Sequence, residues 1–249
     1  MKIIACYSNK GGVGKTAAAV NLAYAFAASG RRTLLCDLDP QGASGFYFRV
    51  KPSKKLIEAL FFEDDGRFAK AIRGSDYDNL DILPANMSFR DFDLFLSRMK
   101  NGRSRLKKTL KAVRSDYEVV VLDCPPNISM LSENVFRAAD AVVVPVIPTT
   151  LSQRTFEQLL EFFHDSDLPE KNIHAFFSMV QGIKSLHGET IAEMTGAHSG
   201  RFTRATIPFA SEIERMGLVR APVLATAPNS RAGKAYQALF EEIEGTLIL

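Results

Sequence analysis

The chain has 249 residues, is 46% hydrophobic and 24% charged, and carries a formal charge of +3 with a pI near 8.7. That balance excludes a disordered or fibrous chain and suits one α/β domain, residues 1–249, with a substantial core. The mild positive charge permits contact with nucleic acid without arguing for it, and no apolar run approaches the roughly 18 to 20 residues of a membrane span.

The N-terminus leads straight into a strand pattern, with no signal peptide. In chain order, apolar runs predict strands over Ile3–Tyr7, Thr33–Asp37, Leu80–Leu83, Val119–Leu122, Ala141–Val146, His174–Met179 and Thr203–Ile207. Helical patterns predict Thr16–Ala28, Lys54–Phe62, Phe89–Met99, Arg105–Arg114, Ser132–Ala138, Gln153–His164, Leu186–Met194, Ser211–Met216 and Arg231–Thr246. The stretch 40–53 has the weakest structural signal. Runs such as Val119-Val120-Val121-Leu122 are apolar without alternation, as strands buried on both faces are. Strands alternating with helices predict a doubly wound α/β fold, a mostly parallel sheet with helices on both faces. Cys6, Cys36 and Cys124 all fall in apolar runs, with no zinc-site spacing, and read as reduced core thiols of a cytoplasmic protein.

The run Asn9-Lys10-Gly11-Gly12-Val13-Gly14-Lys15-Thr16 sits between the first strand and the first helix and reads as a phosphate-binding loop. Gly11, Gly12 and Gly14 lack side chains that would block close approach, so consecutive backbone N–H groups can turn toward phosphate oxygens. The next helix adds its positive end. Lys15 has the reach for the β- and γ-phosphates and Thr16 a hydroxyl for magnesium. The loop departs from G-x-x-x-x-G-K-[ST]: Asn9 stands at the first glycine, followed by an extra lysine, Lys10. Hydrolysis also needs carboxylates at neighbouring strand ends. Two strands supply them, one running into Asp37-Leu38-Asp39-Pro40 and one ending at Asp123.

With "DLDPQG" at 37–42, "LDCPPN" at 122–127, "LPAN" at 83–86 and "AADAVVVPVIPT" at 138–149, the loop resembles the ParA/MinD superfamily of deviant Walker A P-loop ATPases, nearest its small ParA-type members. The likeness is strong over 1–50 and 115–150 and looser elsewhere. It implies an ATPase using ATP and Mg2+. Thr16 would ligate the magnesium directly, and Asp37 and Asp123 would hold it mostly through water. Asp39 would orient the attacking water, and Lys15 would hold the phosphates of its own subunit. Lys10 would cross a nucleotide-sandwich homodimer to the partner's phosphates. The nucleotide-binding set is Asn9 through Ala17, with Pro208 and Phe209 on the base side. The chain departs from the resemblance at Ala17, where many relatives have a second Thr, at Ser178, where Asn is frequent, and at Phe209, where Arg is frequent.

The resemblance also implies a track and a partner. Small members bind non-specific DNA through basic residues near the C-terminal part, here matched by Arg201, Arg204, Arg220, Arg231 and Lys234. They are stimulated by a ParB-like or other cargo adaptor and position a plasmid, chromosome or protein assembly on the nucleoid. The chain begins at the strand before the loop, so no N-terminal helix-turn-helix domain is expected. A MinD-like membrane role is the main alternative. The end, Ala238 to Leu249, is acidic and opposes anionic lipid, and its terminal Leu-Ile-Leu is expected to pack on the domain. A metallocluster ATPase would need bridging cysteines, which Cys36 and Cys124 do not suit, and a ligase on the same scaffold has no substrate signature here. A second basic run, from Arg98 to Arg114 without an acid, reads as a solvated helix face that could still meet an acidic partner.

Overall fold

Five to eight consecutive apolar residues in a strand can be buried only if helices cover both faces of the sheet, and that is the architecture found. The computed structural model describes residues 1–52 and 58–247. Its sheet has strands β1 (Lys2–Cys6), β2 (Thr33–Asp37), β3 (Arg73–Gly74), β4 (Leu80–Leu83), β5 (Val119–Asp123), β6 (Ala141–Val146), β7 (Ile173–Val180) and β8 (Phe202–Pro208), in the order β3-β4-β2-β5-β1-β6-β7-β8. Every pairing is parallel except β3 with β4. β1 lies between β5 and β6, so the chain leaves it toward one side for β2 and returns to the other for β6. Such a reversal opens a crevice at the carboxyl ends of the central strands.

The helices in chain order are α1 (Lys15–Ala28), α2 (Ala43–Tyr47), α3 (Glu58–Glu63), α4 (Asp65–Ala71), α5 (Phe92–Arg98), α6 (Arg105–Leu110), α7 (Met130–Ala138), α8 (Thr150–Asp165), α9 (Ser185–Ala197), α10 (Ser211–Val219), α11 (Val223–Thr226) and α12 (Arg231–Leu247). One core lies between the sheet and α1, α10, α11 and α12, built on Val20, Phe26, Met216, Leu239 and Ile243. The other lies under α3 to α9, where Phe61, Phe62, Phe68, Phe89 and Phe92 form an aromatic cluster.

All seven expected strands are present, and β3 is an addition: two exposed residues with no apolar pattern, held by antiparallel pairing to β4. Three helices carried no clear signal. α4 starts at an Asp64 cap that accepts from the Arg67 amide. α11 is a single turn after Pro222. α2 lies within the weakly patterned 40–53 stretch and starts after Gly42 at φ 68. α7 begins two residues earlier than expected because Ser129 and Ser132 close a reciprocal capping box. The start of the expected 54–62 helix lies outside the described residues, and α3 is its described end. Leu247 is buried as expected, while Ile248 and Leu249 lie outside the described residues.

Candidate active site

The loop after β1 turns through Gly12 at φ 71 and Gly14 at φ 98, a backbone that side-chain-bearing residues rarely adopt. A Cβ on Gly14 would also stand 3.0 Å from the Ser178 hydroxyl. Gly14 caps α1 without a side-chain hydrogen bond, so the first amides of the helix point into the cleft as an anion seat. Lys15 is buried at 7% exposure, and its Nζ donates to the Lys10 carbonyl at 3.0 Å. Burial lowers its pKa, opposed by the charges of Asp123 and Asp39.

The cleft has a volume of about 420 Å³. Gly11, Gly12, Gly14, Lys15 and Thr16 form its polar end, with Ala17 beside them and Asp39 at the rim. Ile207, Pro208, Phe209, Ile213 and Met179 form an apolar end. This bipolar shape fits a nucleotide: phosphates on glycine amides and lysine, a base against apolar walls. Ser178, Ala43, Ala210 and Glu214 also line it, together with Tyr47, Tyr236 and Pro126. No sequence motif gives the last three a role in nucleotide binding, although Pro126 sits inside "LDCPPN". Asn9, Lys10 and Val13 are not in this cleft. They line a separate small recess with Ser152, Thr155 and Phe156 on α8. The Lys10 Nζ donates to the Ser152 hydroxyl at 3.3 Å.

Beneath the loop, Asp37 and Asp123 are direct partners at the ends of β2 and β5, and both are fully buried. Each has one oxygen engaged by α2: Asp123 Oδ2 accepts from the Ser44 hydroxyl at 2.6 Å, and Asp37 Oδ2 accepts from the Gly45 amide at 3.1 Å. Each has its other oxygen, Oδ1, buried and without a partner. Burial pushes Asp123 up to about 6, offset by hydrogen bonding from Ser44 and Thr16. Burial and the neighbouring Asp123 raise Asp37 as well. Two buried carboxylates with orphaned oxygens beside a threonine hydroxyl are a hard oxygen donor set, and they suit magnesium that keeps several waters. Asp39 is half-buried, and its Oδ1 accepts from the Gln41 amide at 3.0 Å, which fixes the carboxylate at the cleft rim.

The Ser44 bond gives a direct prediction. Ser44→Ala leaves a buried carboxylate oxygen unpaired, so it is expected to cost about 1.5–3 kcal/mol of stability in EDTA. The loss should be larger at pH 8, with Asp123 ionised, than at pH 5. Thermal melts at the two pH values check it, and an equal loss at both would show that the hydroxyl does not serve the carboxylate.

The five C-terminal basic residues do not converge. Arg201 is ion-paired to Glu170 at 2.5 Å. The Arg204 amide donates to Glu242, near the end of α12. Arg220 lies over the Phe46 ring at 4.5 Å and donates to the Phe46 carbonyl. Arg231 and Lys234 are exposed on the first turn of α12, with Lys234 about 12 Å along the helix from Glu242. Cys6, Cys36 and Cys124 are free and buried, as expected. Among the described residues no helix is long and apolar enough to cross a membrane.

Known proteins resemble the chain in sequence and in fold. The family described as AAA domain matches residues 1–173. The chain is similar to the Bacillus subtilis sporulation initiation inhibitor protein Soj, 28% identical over 97% of this chain and 98% of that protein. It is similar to the Caulobacter vibrioides chromosome partitioning protein ParA, 30% identical over 98% of this chain and 94% of that protein. Among solved structures, cobyrinic acid a,c-diamide synthase from Mycobacterium smegmatis, with an ATP analogue and magnesium bound, has a TM-score of 0.81 at 24% identity, covering 98% of this chain and 94% of that one. That likeness shows the fold, which partition proteins and a synthase share, so the fold alone does not choose between them.

Proposed function

Since the chain belongs to the AAA-domain family and is a ParA/MinD-type P-loop ATPase, we propose that it hydrolyses ATP slowly as a nucleotide-sandwich homodimer whose ATP-bound form grips duplex DNA without sequence preference. A cargo adaptor of the ParB kind would raise turnover, and a plasmid, chromosome or protein assembly would be segregated or spaced along the nucleoid. The name of the Caulobacter vibrioides relative, a chromosome partitioning protein, supports the partition reading.

The observation that carries the dimer is the place of Lys10. The loop is rich in glycine and still directs this lysine away from its own phosphate seat, onto α8. Around the same end of the sheet stand exposed apolar side chains, Leu151, Ile183, Leu186, Phe209 and Ile128. Ile183 is 95% exposed. Apolar groups clustered at a site mouth suit burial against a second copy.

Within one subunit, the Lys15 ammonium and the glycine amides would hold the β- and γ-phosphates, and Pro208 and Phe209 would wall the base. Thr16, Asp37 and Asp123 would hold magnesium, which when bound supplies charge neutralisation at the transferring phosphoryl group. Asp39 at the rim would orient the attacking water. The partner's Lys10 would complete the cation set as an arginine finger does.

The test is an electrophoretic shift on non-specific duplex DNA with Asp39→Ala, which should trap ATP. A shift with ATP but with neither ADP nor no nucleotide, weakening as salt rises, is the expected result. No shift in any state, with ATP still bound, would remove the nucleoid as the track and send the search to liposome flotation.

A further inference from the structure

We infer that the surface from Arg98 to Arg114, on the helical layer opposite α12, is the principal duplex-DNA contact of this chain. The inference rests on the DNA-binding reading above and moves the contact away from the C-terminal residues that the family likeness suggests.

Charge segregation is the first ground. This stretch of 17 residues holds eight of the chain's 31 lysines and arginines and no acid, leaving 23 cations against 28 acids elsewhere. The net positive charge of the protein therefore resides here, on a chain that is otherwise acidic. Seven of the eight cations are exposed, and Arg105 is half-buried, donating to the Phe62 carbonyl. Among the described residues only Arg103 of this set forms an ion pair, with Glu133. Within the C-terminal set, Arg201 is neutralised by Glu170 and Arg204 lies beside Glu241 and Glu242, which leaves Arg231 and Lys234 as an exposed pair on the first turn of α12.

Helix geometry is the second ground. Leu106, Leu110 and Val113 are buried and fix the core side of α6 and the turn that follows it. Lys107 on α6, and Lys111 and Arg114 on the 3-10 turn that follows and its end, are all exposed one position past those buried residues, so they lie on the outward side over roughly 10 Å of chain. Duplex DNA presents one negative charge per about 1.7 Å of axis, or about six over that length. At the start of that surface, a cleft of about 480 Å³ between α5 and α7 is lined by Arg103, Arg137 and Ser104. Glu133 pairs with both arginines, leaving that cleft one positive charge to spare.

The chemistry selects the partner. Between Lys100 and Arg114 no apolar side chain is exposed, so the face has nothing to insert into a bilayer. It also has no aromatic residue on which unpaired bases could stack, which favours a duplex over a single strand.

The test compares three full-length proteins on a fluorescent random-sequence duplex with ATP: the parent, Lys107→Ala/Lys108→Ala/Lys111→Ala/Arg114→Ala, and Arg231→Ala/Lys234→Ala. The quadruple variant should bind at least about tenfold more weakly at 0.15 M salt, with a log–log salt slope shallower by about 0.9 for each phosphate left unneutralised. Its ATP turnover without DNA and its melting temperature should match the parent, and the double variant should bind nearly as the parent does. Parent-like binding and slope in the quadruple variant would overturn the assignment alone. Failure of the parent to bind duplex in every nucleotide state would overturn the DNA-binding reading and this assignment together. Binding of the parent to phosphatidylglycerol vesicles, lost in the quadruple variant and without any duplex shift, would overturn the duplex in favour of a membrane.

Discussion

Lys10→Ala is expected to lower ATP turnover about 10³-fold, the low end of what an arginine-finger cation contributes, while nucleotide affinity changes little. The two lysines of the loop have different surroundings. Lys15 is buried at the polar end of the cleft, held by the Lys10 carbonyl and flanked by Asp123 and Asp39. The Lys10 ammonium is with Ser152 in another recess and takes no part in lining the cleft. Removing Lys10 should therefore spare binding and strike only a step that needs a second copy. Mixing sharpens the test. A heterodimer of Lys10→Ala with Asp39→Ala has one complete site, made of the first subunit's Asp39 and the second subunit's Lys10. An equal mixture of the two dead variants should regain about a quarter of parental activity, since half the dimers are mixed and each has one of its two sites. Steady-state phosphate release reads this directly. A mixture as inactive as its parts would mean that Lys10 does not act across a dimer.

That experiment is needed because the crossing of Lys10 to a partner is implied by the resemblance alone, whereas the loop is legible from its own residues. The legible parts depend on local chemistry. Glycines at 12 and 14 announce a positive-φ turn, and continuous valines at 119–121 and 142–144 announce buried parallel strands. An aspartate at the end of such a strand arrives beside the loop because the topology puts it there. The illegible parts depend on tertiary contacts. Tyr236 repeats with Leu239, Phe240 and Ile243 as an ordinary core position of α12, and only the packing of that helix turns it toward the cleft. Ser44 lies in Ala-Ser-Gly-Phe-Tyr, which has neither helical periodicity nor strong propensity. Its helix is held by Gly42 and by two hydrogen bonds to the buried aspartates, none of which shows as a pattern. The basic run at 98–114 is visible in the sequence, but that only Arg103 of it finds an ion-pair partner among the described residues is not.

Asp123→Asn should stabilise the metal-free protein while lowering magnesium-dependent turnover by at least about 10²-fold, because the same burial that suits the aspartate to its cation makes it costly without one. The ordinary aspartate value of 3.8 is raised to about 6 in the fold, chiefly by burial. Between those values the folded chain binds more protons than the unfolded one, so stability in EDTA is greatest at low pH and falls as pH rises through that window. Holding the proton about a hundredfold more tightly in the fold corresponds to about 3 kcal/mol lost above pH 6. Asparagine keeps the shape, and its carbonyl oxygen can still accept from Ser44, but it does not ionise. The variant's advantage should be about 3 kcal/mol at pH 7.5 and should vanish near pH 4. Raised by burial and by Asp123 itself, Asp37 should also relax toward its ordinary value once the neighbouring charge is gone. Urea titrations in EDTA across that pH range, beside ATP turnover against magnesium concentration, measure both halves. A stability difference that does not change with pH would show that the carboxylate pair is not strained, and the case for a cation site built on its orphaned oxygens would fail with it.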